Sequence, residues 1–242
     1  MTSTSTIALV TGASSGIGEA ISRLLVANQY RVIGAARNEA KLQALTEELG
    51  VLFHPAVVDV NDAESVAGLL ESLPVELRAI DVLINNAGHD IGGRRSFEEG
   101  TEAQWNQIIE TNVQGLVRVT LAVIHGMLDR GCGHVVNMGS IAGLKPYATG
   151  TAYVTSKYAV HGFSESLRLD YAGRGIRVSE IMPGLVRTSF AKQRLGDANQ
   201  ADAFYDSFDQ SLAPGDIAQT ILFALQQPKH VEIAQLVVLP VS

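Results

Sequence analysis

The sequence is poor in cysteine and in aromatic residues, with one cysteine, one tryptophan and 6% aromatic residues in 242. A single cysteine, Cys132, excludes an internal disulfide and is typical of a protein of the reducing cytoplasm. Cys132 lies between two glycines, and no partner pattern surrounds it, which indicates a turn residue rather than a nucleophile. No His, Cys or Asp spacing suggests a metal site.

Long apolar runs and clusters of basic residues are also lacking. No run approaches the roughly 20 apolar residues that a membrane span needs, so we expect no membrane association. Residues 1–6 carry neither the charged nor the apolar part of a secretory signal, which predicts a protein that is not exported. The formal net charge is -7 and Lys and Arg form no stripe, which argues against a nucleic-acid partner.

Apolar residues make up 46% of the chain, in β-rich runs that alternate with helical patterns. This alternation predicts βαβ units and an α/β fold, a doubly wound parallel sheet of seven strands with helices on both faces. The predicted strands are 6–10, 30–36, 51–58, 81–84, 134–138, 176–181 and 233–239. The predicted helices are 17–28, 39–49, 62–73, 102–129, 151–172 and 214–226.

One long polar stretch, residues 184–213, is predicted to be irregular. A loop of this length in a compact domain is usually functional, so we expect a lid over the substrate. No linker rich in Pro, Gly or Ser and no fixed-period repeat divides the chain. We therefore predict a single domain over residues 1–242.

The first predicted strand leads into a glycine-rich turn, Thr11-Gly12-Ala13-Ser14-Ser15-Gly16-Ile17-Gly18. Glycines at such positions permit a tight turn, a close approach of phosphate to the backbone and close packing of helix on strand. The following helix N-terminus presents free N–H groups to a pyrophosphate. The placement between strand and helix predicts a dinucleotide site. The alternative is a glycine-rich turn without a ligand.

The end of the second predicted strand favours NADP(H) over NAD(H). An acidic residue there would bind the ribose 2′-hydroxyl, but the strand ends in small residues followed by Arg37, whose guanidinium can pair with a 2′-phosphate. The alternative is that Arg37 is only a solvated residue before the helix. Asp59 and Val60 end the third strand, where adenine would lie, although Asp59 is also a candidate cap for the helix near Asp62.

A tyrosine and a lysine, Tyr153 and Lys157, stand at i and i+4 near the start of a predicted helix and therefore share one face. A neighbouring positive charge lowers the pKa of a phenol, which predicts that Tyr153 exchanges a proton with a substrate oxygen. Ser140 follows the fifth strand at the edge of the crevice and can hold that oxygen. Asn112 lies inside a predicted helix, and this indicates either a role in the site or an exposed position.

Together these motifs resemble the short-chain dehydrogenase/reductase family. The matching segments, in the family's order, are Thr11-Gly-x-x-x-Gly-Ile-Gly18, Asn85-Asn-Ala-Gly88, Asn112, Ser140, Tyr153-x-x-x-Lys157 and Pro183-Gly184. The resemblance implies a Rossmann-type sheet of order 3-2-1-4-5-6-7, the catalytic tetrad Asn112, Ser140, Tyr153 and Lys157, and a homotetramer packed through helices 102–129 and 151–172. It also implies cofactor contacts from Gly12, Ser14, Ser15, Gly16, Ile17, Gly18, Arg37, Asp59, Val60, Asn86, Ala87, Gly88, Tyr153, Lys157, Pro183, Gly184, Val186 and Thr188.

Within that family the chain is similar to the bacterial NADP-dependent branch that oxidises serine, allo-threonine and related 3-hydroxy acids, whose close relatives include reductases of sulfonated aldehydes. Segments 72–74, 80–88, 183–186 and 233–241 carry this similarity, whereas residues 89–95 depart from it because that branch is apolar and uncharged there. It implies a small anionic hydroxy acid or aldehyde as substrate.

The predicted substrate contacts are Ser140, His89, Arg94, Tyr153 and Arg187. Arg187 in particular is positioned by the sequence to pair with a carboxylate or sulfonate. The alternative is that these arginines lie on the surface or at a subunit interface. Two other functions stay open: the same chemistry on a neutral sugar, polyol or ketone, and a cofactor-binding sensor without turnover.

Overall fold

The computed structural model describes residues 5–93, 95–208 and 210–241. All seven strands form one parallel sheet in the order β3-β2-β1-β4-β5-β6-β7, which confirms the predicted order. The strands are β1 Ile7–Thr11, β2 Arg31–Ala36, β3 Phe53–Val57, β4 Val82–Asn85, β5 Gly133–Met138, β6 Ile176–Pro183 and β7 Gln235–Val238.

Helices cover both faces of the sheet. They are α1 Gly16–Ala27, α2 Glu39–Leu49, α3 Ala63–Ala67, α4 Leu69–Ser72, α5 Glu102–Ile109, α6 Leu116–Arg130, α7 Thr151–Asp170, α8 Phe190–Leu195, α9 Ala198–Asp206 and α10 Pro214–Leu225. None of the helices in the described part of the chain is long and apolar enough to cross a membrane.

The sequence of the central strand β1 is apolar without alternation because both of its faces are buried. Ile7 and Leu9 point into the core beneath α6 and α7, whereas Ala8 and Val10 point into the core beneath α1 and α10. All five residues of β1 are buried because both faces of a parallel sheet are covered by helices. The carboxyl ends of the strands are left as the open edge of the sheet.

The predicted helix 102–129 is not continuous. A π-helical turn, Glu110–Gly115, separates α5 from α6 and turns Thr111 and Asn112 into the protein, where both are buried. Such turns insert one extra residue per turn and are frequent at functional sites. The prediction of one uninterrupted helix was therefore wrong, because the hydrophobic spacing alone does not distinguish a π-turn from the α-helix around it.

The stretch 184–213, predicted to be irregular, contains α8 and α9. Ala191 of α8 packs with Ala201 and Tyr205 of α9 in a small apolar cluster of their own. Asp197 caps α9 by accepting a hydrogen bond from the backbone N–H of Gln200 at 2.8 Å. The polar composition of the stretch concealed these two short helices, which hold only a few apolar residues each.

A ladder of buried polar side chains joins the middle of the sheet to the helices α6 and α7. Asn85 Nδ2 donates to Thr120 Oγ1 and to Asn137 Oδ1, both at 2.9 Å. Asn137 Nδ2 in turn donates to Ser164 Oγ at 2.9 Å. Because each of these groups is out of reach of water, losing one partner leaves another unsatisfied. The ladder therefore fixes how α6 and α7 sit against β4 and β5.

Replacing Asn137 with Ala tests the ladder. The change removes the acceptor for Asn85 and the donor to Ser164, so we expect the free energy of unfolding to fall by about 1 to 3 kcal/mol. Urea denaturation followed by circular dichroism measures this loss. The matched control is Asn106→Ala on the exposed side of α5, and equal losses in both variants would contradict a stabilising ladder.

Candidate active site

A cavity of about 1240 Å³ lies beyond the carboxyl ends of the strands, where parallel α/β sheets bind their ligands. The predicted site residues that line it are Gly12, Ser14, Ser15, Gly16, Ile17, Arg37, Asp59, Val60, Asn86, Ala87, Gly88, His89, Ser140, Tyr153, Lys157, Pro183, Gly184, Val186 and Thr188. Gly18, Asn112 and Arg187 do not line it, and Arg94 lies outside the described residues. In the described part of the chain, no three His, Cys, Asp or Glu side chains are grouped so that they could hold a metal ion.

The glycine-rich turn forms one end of the cavity. Gly12 and Gly16 have φ angles of 67° and 57°, a region that glycine adopts without strain. Gly18 packs so closely that an added Cβ would lie 2.3 Å from the carbonyl oxygen of Gly12. Thr11 Oγ1 accepts a hydrogen bond from the backbone N–H of Asn86 at 3.0 Å, which ties this turn to the end of β4.

The N-terminus of α1 opens into this end of the cavity. Ser15 is its N-cap residue, yet its side chain accepts no hydrogen bond from the helix backbone. The first N–H groups of the helix, together with the Ser14 and Ser15 side chains at the cavity wall, are thus arranged as an anion receptor. This arrangement fits the pyrophosphate of a dinucleotide.

Arg37 stands at the rim of the same end, after β2, with its side chain 66% exposed. Its Nη1 lies 3.9 Å from Asp59 Oδ2, and no acidic residue ends β2. Asp59 accepts from the backbone N–H of Asn61, whereas the cap of α3 is Asp62, so the alternative role of Asp59 as that cap is wrong. An exposed guanidinium at this place fits a ribose 2′-phosphate.

Three side chains from two elements, α7 and the end of β5, meet at the other end of the cavity. Lys157 Nζ donates to the carbonyl oxygen of Met138, at the end of β5, at 2.7 Å. The same Nζ lies 5.6 Å from the ring centroid of Tyr153. The Ser140 side chain acts on the Tyr153 phenol and lowers its pKa. The one-turn spacing of Tyr153 and Lys157 on α7 therefore brings both to the strand end that carries Ser140.

Asn112 lies behind these groups rather than among them. Its Oδ1 accepts from the His89 backbone N–H at 2.9 Å, and its Nδ2 donates to the His89 carbonyl oxygen and to Ser156 Oγ, both at 3.0 Å. The side chain thus joins the segment after β4 to α7, one residue from Lys157. The π-helical turn places it there. The alternative from the sequence, an exposed helix residue, is wrong because Asn112 is buried.

Burial dominates the titration of the two central groups. It raises the pKa of Tyr153 above its ordinary value, and the Arg194 guanidinium and the Ser140 side chain offset only part of that rise. Burial lowers the pKa of Lys157 to about 8, although the carboxylates of Glu180 and Asp90 act in the opposite direction. The expectation of a lowered pKa for Tyr153 was wrong, because removing the phenolate from water outweighs the nearby positive charges.

Arg194 of α8 was missed in the sequence and lies at the substrate end of the cavity. Its guanidinium carbon is 5.6 Å from the ring centroid of Tyr153 and 5.4 Å from that of Phe190. Its Nε lies 2.6 Å from Asp90 Oδ2, in the loop after β4. The only signal was a cation one helical turn after Phe190, in a stretch that was not predicted to be helical.

Arg187 and His89, both predicted to contact the substrate, differ in their placement. Arg187 is 48% exposed, pairs with Asp206 and lies against Tyr205, so it points away from the cavity and its predicted contact with substrate is wrong. His89 lines the cavity, but its Nε2 is 3.0 Å from Thr111 Oγ1, which also accepts from Asn61 at 2.9 Å. Burial lowers the pKa of His89, and the charge of Arg37 lowers it further. The contact of His89 with the substrate stays a prediction.

Comparisons with known proteins agree with this geometry. The chain is 40% identical over 238 residues to an NADP-dependent 3-hydroxy acid dehydrogenase of Escherichia coli K12, covering 98% of this chain and 95% of the relative. It is 37% identical over 235 residues to a serine 3-dehydrogenase of Rhizobium radiobacter, covering 97% and 93%.

Two solved structures are also similar. The closed form of a serine dehydrogenase in complex with NADP+ superimposes with a TM-score of 0.93 at 39% identity, covering 96% of this chain and 94% of that one. A serine dehydrogenase from Escherichia coli gives a TM-score of 0.84 at 36% identity, covering 96% of each chain. The family model of the short chain dehydrogenases matches residues 6–199. The protein is a member of the short chain dehydrogenase family.

Proposed function

We propose that this protein is an enzyme that uses NADP(H) to oxidise the hydroxyl group of a small 3-hydroxy acid, or to reduce the corresponding carbonyl compound. The observation that carries the proposal is the meeting of Ser140, Tyr153 and Lys157 at one end of a cavity whose other end holds the glycine-rich turn and Arg37. The cofactor, when bound, supplies the hydride acceptor or donor.

Tyr153 moves the proton. Because burial raises its pKa, the phenol is protonated at neutral pH and donates to the oxygen of a carbonyl substrate. Ser140, on the cavity wall with Tyr153, holds the same oxygen as charge develops on it. Lys157, fixed on Met138, places a cation beside the phenol and favours its anionic form when an alcohol is oxidised. Asn112 positions α7 through Ser156.

The other cavity-lining residues hold the cofactor. The turn at Gly12 and the N-terminus of α1 would bind the pyrophosphate, and Arg37 would pair with the 2′-phosphate. Asp59 and Val60 would contact the adenine. The rest of the cofactor would be contacted by Asn86, Ala87, Gly88, Pro183, Gly184, Val186 and Thr188, which line the same cavity.

Arg194 provides the positive charge that a carboxylate-bearing substrate requires. Arg194 replaces Arg187 as the residue expected to pair with the substrate carboxylate, because its guanidinium lies over the ring of Tyr153 on the cavity wall. Relatives named for 3-hydroxy acids and for serine support this substrate class.

Residues 184–213 form the lid. Their two helices bring Phe190, Arg194 and Tyr205 onto the cavity wall beside Tyr153. The close superposition on a relative in its closed form supports a closed position here. Closing such a lid excludes water from the reacting groups.

We also propose that the enzyme works in the cytoplasm as a homotetramer. The single free thiol, Cys132, suits a reducing compartment. Large apolar side chains are exposed on the two long helices, among them Leu121 of α6 and Leu169 of α7, and a second copy of the chain would cover them.

Tyr153→Phe tests the proposed acid/base role. Loss of the phenol should lower kcat about 100-fold to 10,000-fold, the usual contribution of a positioned proton donor, while NADPH binding measured by fluorescence stays unchanged. The control is Tyr158→Phe on the same helix, whose hydroxyl donates to the Leu144 carbonyl oxygen instead. Full turnover in Tyr153→Phe would refute the mechanism.

Arg37→Ala tests the cofactor choice. Removing the guanidinium takes away a charged contact to the 2′-phosphate, so KM for NADP+ should rise about 10-fold to 100-fold. KM for NAD+, which lacks that phosphate, should change less than about twofold and serves as the internal control. Equal rises for both cofactors would show that Arg37 does not recognise the phosphate.

The pH dependence should differ between the two directions. Alcohol oxidation needs the Tyr153 phenolate, and because burial raises its pKa, kcat/KM for oxidation should climb through the range of about pH 7 to about pH 10. Carbonyl reduction needs the phenol and should be level across neutral pH. Initial rates in both directions from about pH 6 to about pH 10 measure this difference. An oxidation rate that is independent of pH would contradict it.

A further inference from the structure

One buried carboxylate has no part in the mechanism proposed so far. Glu180, on β6, has 0% of its side chain exposed. His161 Nδ1, on α7, donates to its Oε2 at 2.8 Å, whereas its Oε1 has no hydrogen-bond partner among the described residues. A carboxylate removed from water this completely is unfavourable unless nearby charges compensate it. The single imidazole compensates one oxygen and leaves the other to a charge that is not in direct contact.

The fold places this carboxylate at the strand end to which Lys157 is bound. Lys157 and His161 are one helical turn apart, so both side chains leave the same face of α7. Lys157 Nζ donates to the Met138 carbonyl oxygen at the end of β5, and His161 donates to Glu180 on the neighbouring strand. A Cβ added to Gly139, the residue after Met138, would lie 2.3 Å from Glu180 Oε1. The oxygen without a partner therefore lies against this strand end.

Lys157 in turn has a buried positive charge that its hydrogen bond does not compensate. The bond is made to a carbonyl oxygen, which has no formal charge. Two carboxylates raise the pKa of Lys157 against the effect of burial, that of Glu180 more than that of Asp90. Asp90 already pairs with Arg194, at 2.6 Å. Glu180 is thus the larger of the two negative charges that act on the ammonium group.

The attraction also acts on Glu180. Burial raises the pKa of its carboxyl group, and His161, Lys157 and Arg168 of α7 each lower it. Gln235, which pairs with Glu180 from β7, has no charge. The charged form of Glu180 is therefore favoured by one helix, the same helix that carries the reacting phenol.

We infer that Glu180, held by His161, is the counter-charge of the Lys157 ammonium group and is a positioning residue of the reaction. The inference rests on the proposed function, in which the ammonium group favours the phenolate of Tyr153. Glu180 does not line the cavity, so it acts on the reaction through Lys157. Without its charge, Lys157 would lose a proton more readily and the phenol would lose its proton less readily.

The reactivity of Lys157 toward acetic anhydride tests the inference without substrate or cofactor. Only the neutral amine reacts, and Lys157 lines the cavity, where a small reagent can reach it. Peptide mass spectrometry gives the pH midpoint of acetylation, which should be about pH 8 in the wild type. Glu180→Gln keeps the shape of the side chain and removes its charge, so the midpoint should fall by about one pH unit. An unmoved midpoint would overturn the inference.

Glu165→Gln is the matched control, because it removes the same charge from the same helix. The Glu165 side chain is 51% exposed and pairs with Arg168 at 3.1 Å. Water and salt screen a charge in such a position, so the midpoint of Lys157 should stay where it is in the wild type. Equal shifts in both variants would show an effect of overall charge and refute the specific role of Glu180.

His161→Gln examines the same link from its partly exposed side. Loss of the imidazole makes the charged form of Glu180 less favourable, so the midpoint of Lys157 should fall here too. The His161 side chain is 25% exposed, which makes this change easier for the fold to tolerate than one at Glu180. If Glu180→Gln does not fold, as judged by circular dichroism, this variant decides, and an unmoved midpoint in it would reject the inference.

The pH profile of alcohol oxidation shows whether the charge of Glu180 reaches the reaction. In Glu180→Gln the ammonium beside the phenol is lost at lower pH, so the rate with DL-serine and NADP+ should rise less between about pH 7 and about pH 10 than in the wild type. A purely structural role would lower kcat by the same factor at every pH. A profile of unchanged shape would therefore contradict the positioning role.

The labelling and turnover experiments separate this inference from the proposed function. If the wild type oxidises neither DL-serine nor 3-hydroxypropionate with NADP+, the proposed function fails, and the acetylation midpoint still decides whether Glu180 is the counter-charge. If the wild type oxidises them and Glu180→Gln alters neither the midpoint nor the pH profile, the proposed function stands and the role of Glu180 is refuted.

Discussion

The hydrogen bond from Lys157 to the Met138 carbonyl oxygen is the contact on which the geometry of the reacting end depends. It fixes the first turns of α7 against the end of β5, and the residue one turn earlier, Tyr153, is fixed with it. Since Ser140 follows the same strand end, its hydroxyl and the phenol are brought together by one element pair. A single charge-assisted bond thus aligns the proton donor with the group that holds the substrate oxygen.

The parts of this protein that obey local rules could be predicted from the sequence. The apolar runs predicted the seven strands, and the family resemblance predicted their order in the sheet. Motifs with fixed spacing, such as Tyr153 and Lys157, were placed correctly because one helical turn leaves few ways to arrange them. Local rules do not predict how segments that are distant in the sequence pack against each other. Arg187 and Arg194 both lie in the polar stretch after β6, and the packing of the chain, which the sequence pattern does not contain, puts Arg194 and not Arg187 on the cavity wall.

Burial reverses several simple electrostatic arguments in this site. The phenol beside an ammonium has a raised pKa rather than a lowered one, and the ammonium itself has its pKa lowered to about 8. Both shifts arise because the two groups are enclosed by the lid, the strand end and α7. Carboxylates also act on this site: those of Glu180 and Asp90 raise the pKa of Lys157, against the larger effect of burial.

The small apolar cluster between α8 and α9 has a consequence for how the cavity opens. A structureless loop of this length would have to be ordered anew in each cycle, at a large cost in conformational entropy. Here Ala191, Ala201 and Tyr205 keep the two helices packed on each other. The lid that we propose can then move as one preformed unit, and less of the free energy of substrate binding is needed to order it.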